Sequence, residues 1–335
     1  MEALVWEGPK QLALRSVPVP EPAGDEVLVR VAAVGICGSE LEGYLGRMSN
    51  RTPPLVMGHE FAGTVVDARE RDWVGKRVAV NPLISCGRCE ECRAGRPNVC
   101  PARVIVGIGR PGAFAELVAV PQGNLLELSD ELADEGGALV EPLANVVHGF
   151  DLGTRRGAPE RVLVVGAGSL GLLATQVAFL SGATTVVVTD LSDERLAQAS
   201  LLGATATVGA AGDGIDERLR AHLPAGADLV VDCVGAAATK QLAIRLVRSG
   251  GSVVLLGLHD DETPLSSHEL IRREIGLTGS FTYTPRDIRR SLGLLTSGRV
   301  AYEGWTTSLP LSEGPVAFEQ LVSASRGHVK VLLRP

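Results

Sequence analysis

Four of the six cysteines crowd into one stretch, Cys86-x2-Cys89-x2-Cys92-x7-Cys100. Four thiolates on such short spacers can close around one Zn2+ tetrahedrally and leave no coordination position open, so the chemistry expected there is structural rather than catalytic. The intervening Gly87, Arg88, Glu90 and Glu91 offer nothing apolar to bury, so a metal is what would hold the loop. An iron–sulfur cluster and unconnected surface thiols are the competing readings of this spacing. A second pattern is Gly166-Ala167-Gly168-Ser169-Leu170-Gly171. With 40 glycines in the chain, GxGxxG alone is weak. Here it follows an apolar run, RVLVV at 161–165, and opens a stretch with helical spacing at Leu170, Leu173, Ala174 and Val177. Asp190, 19 positions after Gly171, ends the next apolar run. That context makes it a dinucleotide fingerprint: Gly166 for the tight turn, Gly168 for approach of the pyrophosphate, Gly171 for close helix–strand packing, and Asp190 for the adenosine ribose. The N–H groups opening the helix, from Ser169 and Leu170 onward, face the phosphates. Asp190 would repel a 2′-phosphate and so favours NAD over NADP, while Arg195 is placed to turn toward such a phosphate and weakens the argument.

Three further segments carry residue types that zinc accepts: Cys37 in 35–39, His59 and Glu60 in 58–60, and Glu141 in 141–144. They lie far apart, and spacing cannot unite them. Taken singly, Cys37 reads as a small core residue and Glu141, before Pro142, as the start of a helix.

The elements that must position these residues fall into two kinds. The first 120 residues read as short β segments at 3–6, 12–17, 26–34, 61–66, 77–80 and 113–120, separated by Gly and Pro, as an all-β barrel-like domain requires. From about residue 160 the runs become continuously apolar, at 161–165, 184–189, 205–208, 229–234, 252–256 and 277–281, with helical segments between most of them. Six such strands with helical crossovers describe a doubly wound parallel sheet. The tail, with a helix at 286–296 and a strand at 329–333, is assigned back to the first domain. The expected division is 1–144 with 285–335, and 145–284. A length of 335 residues suits two domains, and 45% hydrophobic residues suffice for two cores. The net charge of −7 and the lack of a basic stretch argue against nucleic acid, including a zinc-ribbon binder built on 86–100. No run is long and apolar enough to span a membrane, and Met1 runs straight into strand-like sequence without an export signal, so a cytoplasmic location is expected.

These motifs together resemble the zinc-containing medium-chain dehydrogenase/reductase family over nearly the whole chain. The resemblance rests on GICGSE at 35–40, GHEFAG at 58–63, CGRCEECRAGRPNVC at 86–100, GAFAE at 112–116, EPLA at 141–144 and VLVVGAGSLG at 162–171. It implies an α/β chain: a GroES-like β-barrel catalytic domain carrying the four-cysteine lobe, and a Rossmann domain. It implies two Zn2+ per chain, one structural and one catalytic, with NAD as the second cofactor and a homodimer or homotetramer as the assembly. Cys37 and His59 match the first two catalytic ligands. Glu60 and Glu141 match the polyol dehydrogenase branch, where either acts as a direct or a water-mediated ligand. The implied reaction is oxidation of a secondary alcohol of a polyol, sugar, sugar phosphate or aminocyclitol to a ketone, with hydride passing to NAD. Ser39 matches the hydroxyl that relays the substrate proton, and the helix-capping role is its other reading. The chain departs from the family in three places. Glu42 stands where many members carry the outer relay histidine, Glu40 stands where aspartate is usual, and the turn between Val66 and Val78 is short. A threonine-type amino-alcohol dehydrogenase shares most of the motifs. A non-catalytic nucleotide-binding protein on the same fold would have no use for an open metal site. Cys233 reads as packing, and His148, His222, His259, His268 and His328 match no ligand motif.

Overall fold

The computed structural model describes residues 1–323 and 329–335. They form two compact units, Met1–Pro142 with Thr284–Pro335, and Leu143–Tyr283. His328 lies outside the described residues.

The second unit is built on valine-rich runs that are buried on both faces, as parallel strands require. Its six-stranded sheet runs Ala206–Gly209, Thr185–Asp190, Arg161–Val165, Ala227–Asp232, Val247–Leu255, Gly276–Gly279, all parallel. The strand order reverses between Arg161–Val165 and Ala227–Asp232, which opens a crevice beyond their carboxyl ends. The helix Ser169–Leu180 is buried from Gly171 to Ala178. Side chains of Leu163, Val187, Val230, Val253 and Leu242 pack into one core of this unit. The strand expected to reach residue 234 stops at Asp232, because the Asp232 carboxylate accepts the N–H groups of Val234 and Gly235, both at 3.0 Å. The strand expected over 277–281 spans Gly276–Gly279.

In the first unit the long strand Glu26–Gly35 pairs antiparallel with Glu60–Asp67, Leu117–Pro121 and Lys330–Arg334. Arg77–Val80 and Leu125–Glu127 extend the sheet on one side, and Thr306–Pro310 extends it on the other. Glu2–Gly8, Gln11–Ser16 and Leu55–Val56 form a second, three-stranded sheet. Met57, Phe61, Phe114 and Phe318 fill the core, with Phe114 and Phe318 edge-to-face at 5.8 Å. The register sets Glu60 opposite Gly35, and Gly35 opposite Leu332. Where a strand was expected over 113–120, it begins only at Leu117. The preceding backbone serves another partner: Ala113 and Phe114 donate to the carbonyls of Gly58 and Met57, each at 2.9 Å, and so fix the segment before His59. The tail forms the helix Pro285–Thr296, capped by Thr284, and a further helix, Gly314–Val322, that sequence pattern did not reveal. Among the described residues no helix is long and apolar enough to cross a membrane.

Candidate metal and cofactor sites

The cysteine lobe is closed by a short strand pair, Leu83–Ile84 with Val104–Ile105. Between them, Cys89 caps the single-turn helix Glu90–Arg93. The four sulfurs of Cys86, Cys89, Cys92 and Cys100 lie within 4.8 Å of one another. The Cys86–Cys92 pair is separated by 4.0 Å and the Cys100–Cys86 pair by 3.5 Å. The edge of a regular tetrahedron with Zn–S bonds of about 2.3 Å is about 3.8 Å, so the donor set fits Zn2+. All four cysteines are free. Backbone N–H groups of Arg88 and Cys89 and the Cys100 thiol bring the Cys86 thiol down to about 6, while at Cys89 the pull of the Cys92 N–H is outweighed by burial and the three neighbouring thiols, which push that thiol up, so the crowded sulfurs share protons as one set.

The second cluster brings together Cys37, His59 and Glu60, whose ligand atoms also lie within 4.8 Å of one another. Cys37 lies two residues past the strand Glu26–Gly35 and caps the helix Gly38–Tyr44. His59 and Glu60 stand at the start of the neighbouring strand. Glu141 is buried at 6% exposure in the first turn of Val140–Gly153 and lies outside this three-residue cluster. Ser39 is half-buried, and its hydroxyl donates to the Cys37 sulfur at 3.4 Å. Glu42 pairs with Arg47 at 3.4 Å.

Three residues frame this cluster, of which Arg51 and Lys330 have no counterpart in the sequence patterns and Glu40 stands out only as a departure from the family. Glu40 is fully buried and ties the segments together. Its carboxylate accepts the N–H groups of Cys37 at 2.9 Å and Gly58 at 2.8 Å, and meets His59 Nδ1 at 2.9 Å. A proton on Nδ1 facing Glu40 leaves Nε2 as the free lone pair, which is the usual way a second carboxylate orients a metal-binding imidazole. Burial pushes the Glu40 carboxyl up, but His59, the Cys37 N–H and the Arg51 guanidinium outweigh it and hold Glu40 below its ordinary value. Lys330, at 1% exposure, donates to the Glu60 carboxylate and to the Ile36 carbonyl at 3.0 Å. Gly35 makes this possible, because a Cβ there would overlap the Glu60 carboxylate and come within 2.8 Å of Lys330 Cε. Arg51, at 5% exposure, packs against Ser39. The motif GICGSE marks Glu40, but only the fold shows its partners. No sequence signal marks Arg51 or Lys330.

The donor set of one thiol, one oriented imidazole and one carboxylate suits Zn2+ and, with fewer than four protein ligands, leaves room for a substrate oxygen. The cluster concentrates negative charge. Burial pulls His59 and Lys330 down, yet Glu40 and Cys37 for His59, and Glu60 and Cys37 for Lys330, hold both bases above their ordinary values.

In the second unit, Gly166 adopts φ +92° and donates to the Thr189 carbonyl at 2.8 Å. At Gly171 a Cβ would overlap the Gly166 carbonyl oxygen, whereas at Gly168, which caps Ser169–Leu180, a Cβ would meet nothing within 4 Å. The turn is therefore tight on its protein side and open at Gly168, where a phosphate would approach the helix N-terminus. Asp190 braces this turn through the Ala167 N–H at 2.6 Å and the Ser192 N–H at 2.9 Å. Arg195 is half-buried in the first turn of the next helix, Asp193–Leu201. Cys233 is half-buried behind Gly166, and desolvation raises its thiol above the ordinary range.

Comparison with known proteins identifies the family. Residues 23–130 match the alcohol dehydrogenase GroES-like domain, and residues 169–297 match the zinc-binding dehydrogenase domain. Taken with the close relatives, this places the chain in the zinc-containing medium-chain dehydrogenase family, in its polyol dehydrogenase-like branch. It is 34% identical over 324 residues to an L-threonine 3-dehydrogenase of Mesorhizobium japonicum, covering 92% of this chain and 87% of that protein. It is 32% identical to a sorbitol dehydrogenase of Bacillus subtilis, covering 100% and 97%. A zinc-binding dehydrogenase from Sinorhizobium meliloti 1021, bound to NADP, superposes with a TM-score of 0.92 at 38% identity, covering 100% and 99%. The chain is thus a zinc-dependent alcohol dehydrogenase that uses a nicotinamide cofactor, and the non-catalytic reading falls.

Proposed function

We propose that this enzyme oxidises a secondary alcohol of a polyol, sugar, sugar phosphate or aminocyclitol to a ketone, with NAD as acceptor and two Zn2+ per chain. The observation that carries the reading is the Cys37–His59–Glu60 cluster with its imidazole oriented by Glu40. Zn2+ at this cluster supplies a Lewis acid that makes the substrate hydroxyl easier to deprotonate. Cys37, His59 and Glu60 hold it, with Glu141 as a further direct or water-mediated ligand. Ser39 accepts the hydroxyl proton and passes it outward, with Glu42 and water as the exit. Cys86, Cys89, Cys92 and Cys100 hold the second ion and shape the lobe.

Gly166, Gly168, Ser169, Leu170 and Gly171 present the dinucleotide site, and Asp190 accepts from the adenosine ribose. The Asp190 carboxylate supports NAD. Arg195 and the NADP bound by the Sinorhizobium meliloti relative weigh the other way. The proposal includes a homo-oligomer and a reducing compartment such as the cytoplasm, a location supported by the reading of the clustered cysteines as metal ligands rather than disulfides. Identity to L-threonine 3-dehydrogenase supports a second reading, oxidation of an amino alcohol.

One panel tests these readings: NAD and NADP reduction with sorbitol, galactitol 1-phosphate, an aminocyclitol and L-threonine, on wild type and Asp190→Ser. The polyol reading expects the highest kcat/KM on a polyol or its phosphate, with NAD preferred and the preference narrowed by Asp190→Ser. Highest kcat/KM on L-threonine selects the second reading. NADP preference in wild type overturns the role of Asp190.

A further inference from the structure

Arg51 belongs to no motif, yet it is buried beside the open metal cluster. Its Nη1 donates to the Ser39 carbonyl at 2.7 Å, and its Nη2 donates to the Ser39 hydroxyl oxygen at 3.3 Å. That hydroxyl in turn donates to the Cys37 sulfur. The chain clears space for the guanidinium: at Gly43 a Cβ would come within 2.8 Å of Nη1 and 2.9 Å of Cδ. Arg51 Nε is buried without a hydrogen-bond partner. Enclosing a guanidinium is costly unless nearby negative charge offsets it. The charges that face Arg51 are Glu40 and Cys37, both at the metal cluster. A brace needing only to hold the Ser39 carbonyl would be met by a neutral amide at lower desolvation cost. The chain instead places a permanent cation against the one hydroxyl assigned to move a proton.

We propose that Arg51 is a positioning residue for Ser39, fixing its hydroxyl between the guanidinium and the Cys37 sulfur and stabilising negative charge that develops on its oxygen during proton relay. The inference rests on the assignment of Ser39 as the relay hydroxyl. As the proton of the substrate hydroxyl arrives on the Ser39 oxygen, the original Ser39 proton turns from the Cys37 sulfur and departs to water, so neither Ser39 nor Arg51 changes charge overall. Arginine stays protonated in proteins and cannot itself carry the proton. Arg51 therefore aims the relay hydroxyl and does not itself take part in proton transfer.

The test is a double-mutant cycle of Arg51→Met and Ser39→Ala on the full-length metal-loaded enzyme, with Arg51→Lys as the conservative variant. Two readouts are taken. The first needs no substrate: the thiolate-to-metal charge-transfer band of Cys37 after cobalt replaces zinc at the open site. The second is kcat, with KM for NAD, in oxidation of sorbitol and of L-threonine. Arg51→Met is expected to move the cobalt band in the same direction as Ser39→Ala, at unchanged metal content. It should lower kcat by about 10- to 100-fold with KM for NAD unchanged. Arg51→Lys should recover part of both. In the Ser39→Ala background, Arg51→Met should change kcat by no more than about twofold, because its effect runs through a hydroxyl already absent. An unmoved band with wild-type kcat, or effects that add in full, would overturn the proposal. If Arg51→Met does not fold, Arg51→Gln, which keeps a donor for the Ser39 carbonyl and removes the charge, takes its place in the cycle with the same expected outcomes. Ser39→Ala with an unmoved band and wild-type kcat instead overturns the relay assignment beneath it.

Discussion

Lys330→Met isolates one buried ion pair beside the metal cluster. Lys330 and Glu60 are 1% and 2% exposed, and the ammonium also reaches the Ile36 carbonyl. Methionine keeps much of the stem's volume and removes the charge, so Glu60 stays enclosed with no cation against it. Breaking a buried pair on one side costs about 3–5 kcal/mol. Burial lowers the Lys330 pKa, but Glu60, Cys37 and Glu40 raise it above the ordinary lysine value. A raised base contributes stability in full below its unfolded pKa of about 10.4, and that contribution is lost only as pH rises through the higher folded value. At pH 7 the whole penalty is therefore present. At about 2–4 °C per kcal/mol, the melting temperature of chelated protein should fall by roughly 6–20 °C. Zinc-loaded protein should lose less, because the ion supplies Glu60 with another cation. Lys330→Met combined with Glu60→Leu should recover most of the chelated protein's loss, since no buried charge is then left unpaired. Differential scanning calorimetry at pH 7 on the chelated and loaded forms measures all of this. A loss below about 1 kcal/mol in the chelated single variant, or no recovery in the double variant, would refute the reasoning.

Gly171→Ala places a methyl group on the Gly166 carbonyl oxygen, so the dinucleotide turn must open. It should cost about 1–3 kcal/mol of stability and weaken NAD binding, read by cofactor fluorescence titration, while zinc content stays normal. Glu141→Ala should reduce turnover by about 10- to 100-fold and shift the pH–rate profile while NAD affinity is retained. A modest stability loss with a normal profile would return Glu141 to a helix-start role.

Features set by local spacing were legible in the sequence. The cysteine lobe closes through residues at most fourteen positions apart, and the dinucleotide turn is one strand–turn–helix whose glycines answer short-range contacts. The doubly wound sheet was legible because its central strands are short valine-rich runs buried on both faces. The polar frame of the open site was not. Glu60 meets Lys330 only because two antiparallel registers converge on Gly35, and the lysine that opens KVLLR reads locally as the start of an exposed strand. Glu40 lies inside a recognised motif, but its role depends on a helix cap that aims its carboxylate at His59. Residues 113–116 alternate like a strand, yet part of their backbone bonding is spent on Met57 and Gly58, a partner no periodicity encodes.

The most direct test of the central claim, one closed and one open zinc site in each chain, is metal content followed through timed chelation of protein purified without chelator. The account expects two zinc ions per chain at the start. The first should leave quickly together with dehydrogenase activity, while the circular dichroism signal and NAD binding persist. The second should leave slowly, with loss of the lobe's structure. One zinc or none at the start, or loss of both ions in a single step with unfolding, would contradict it.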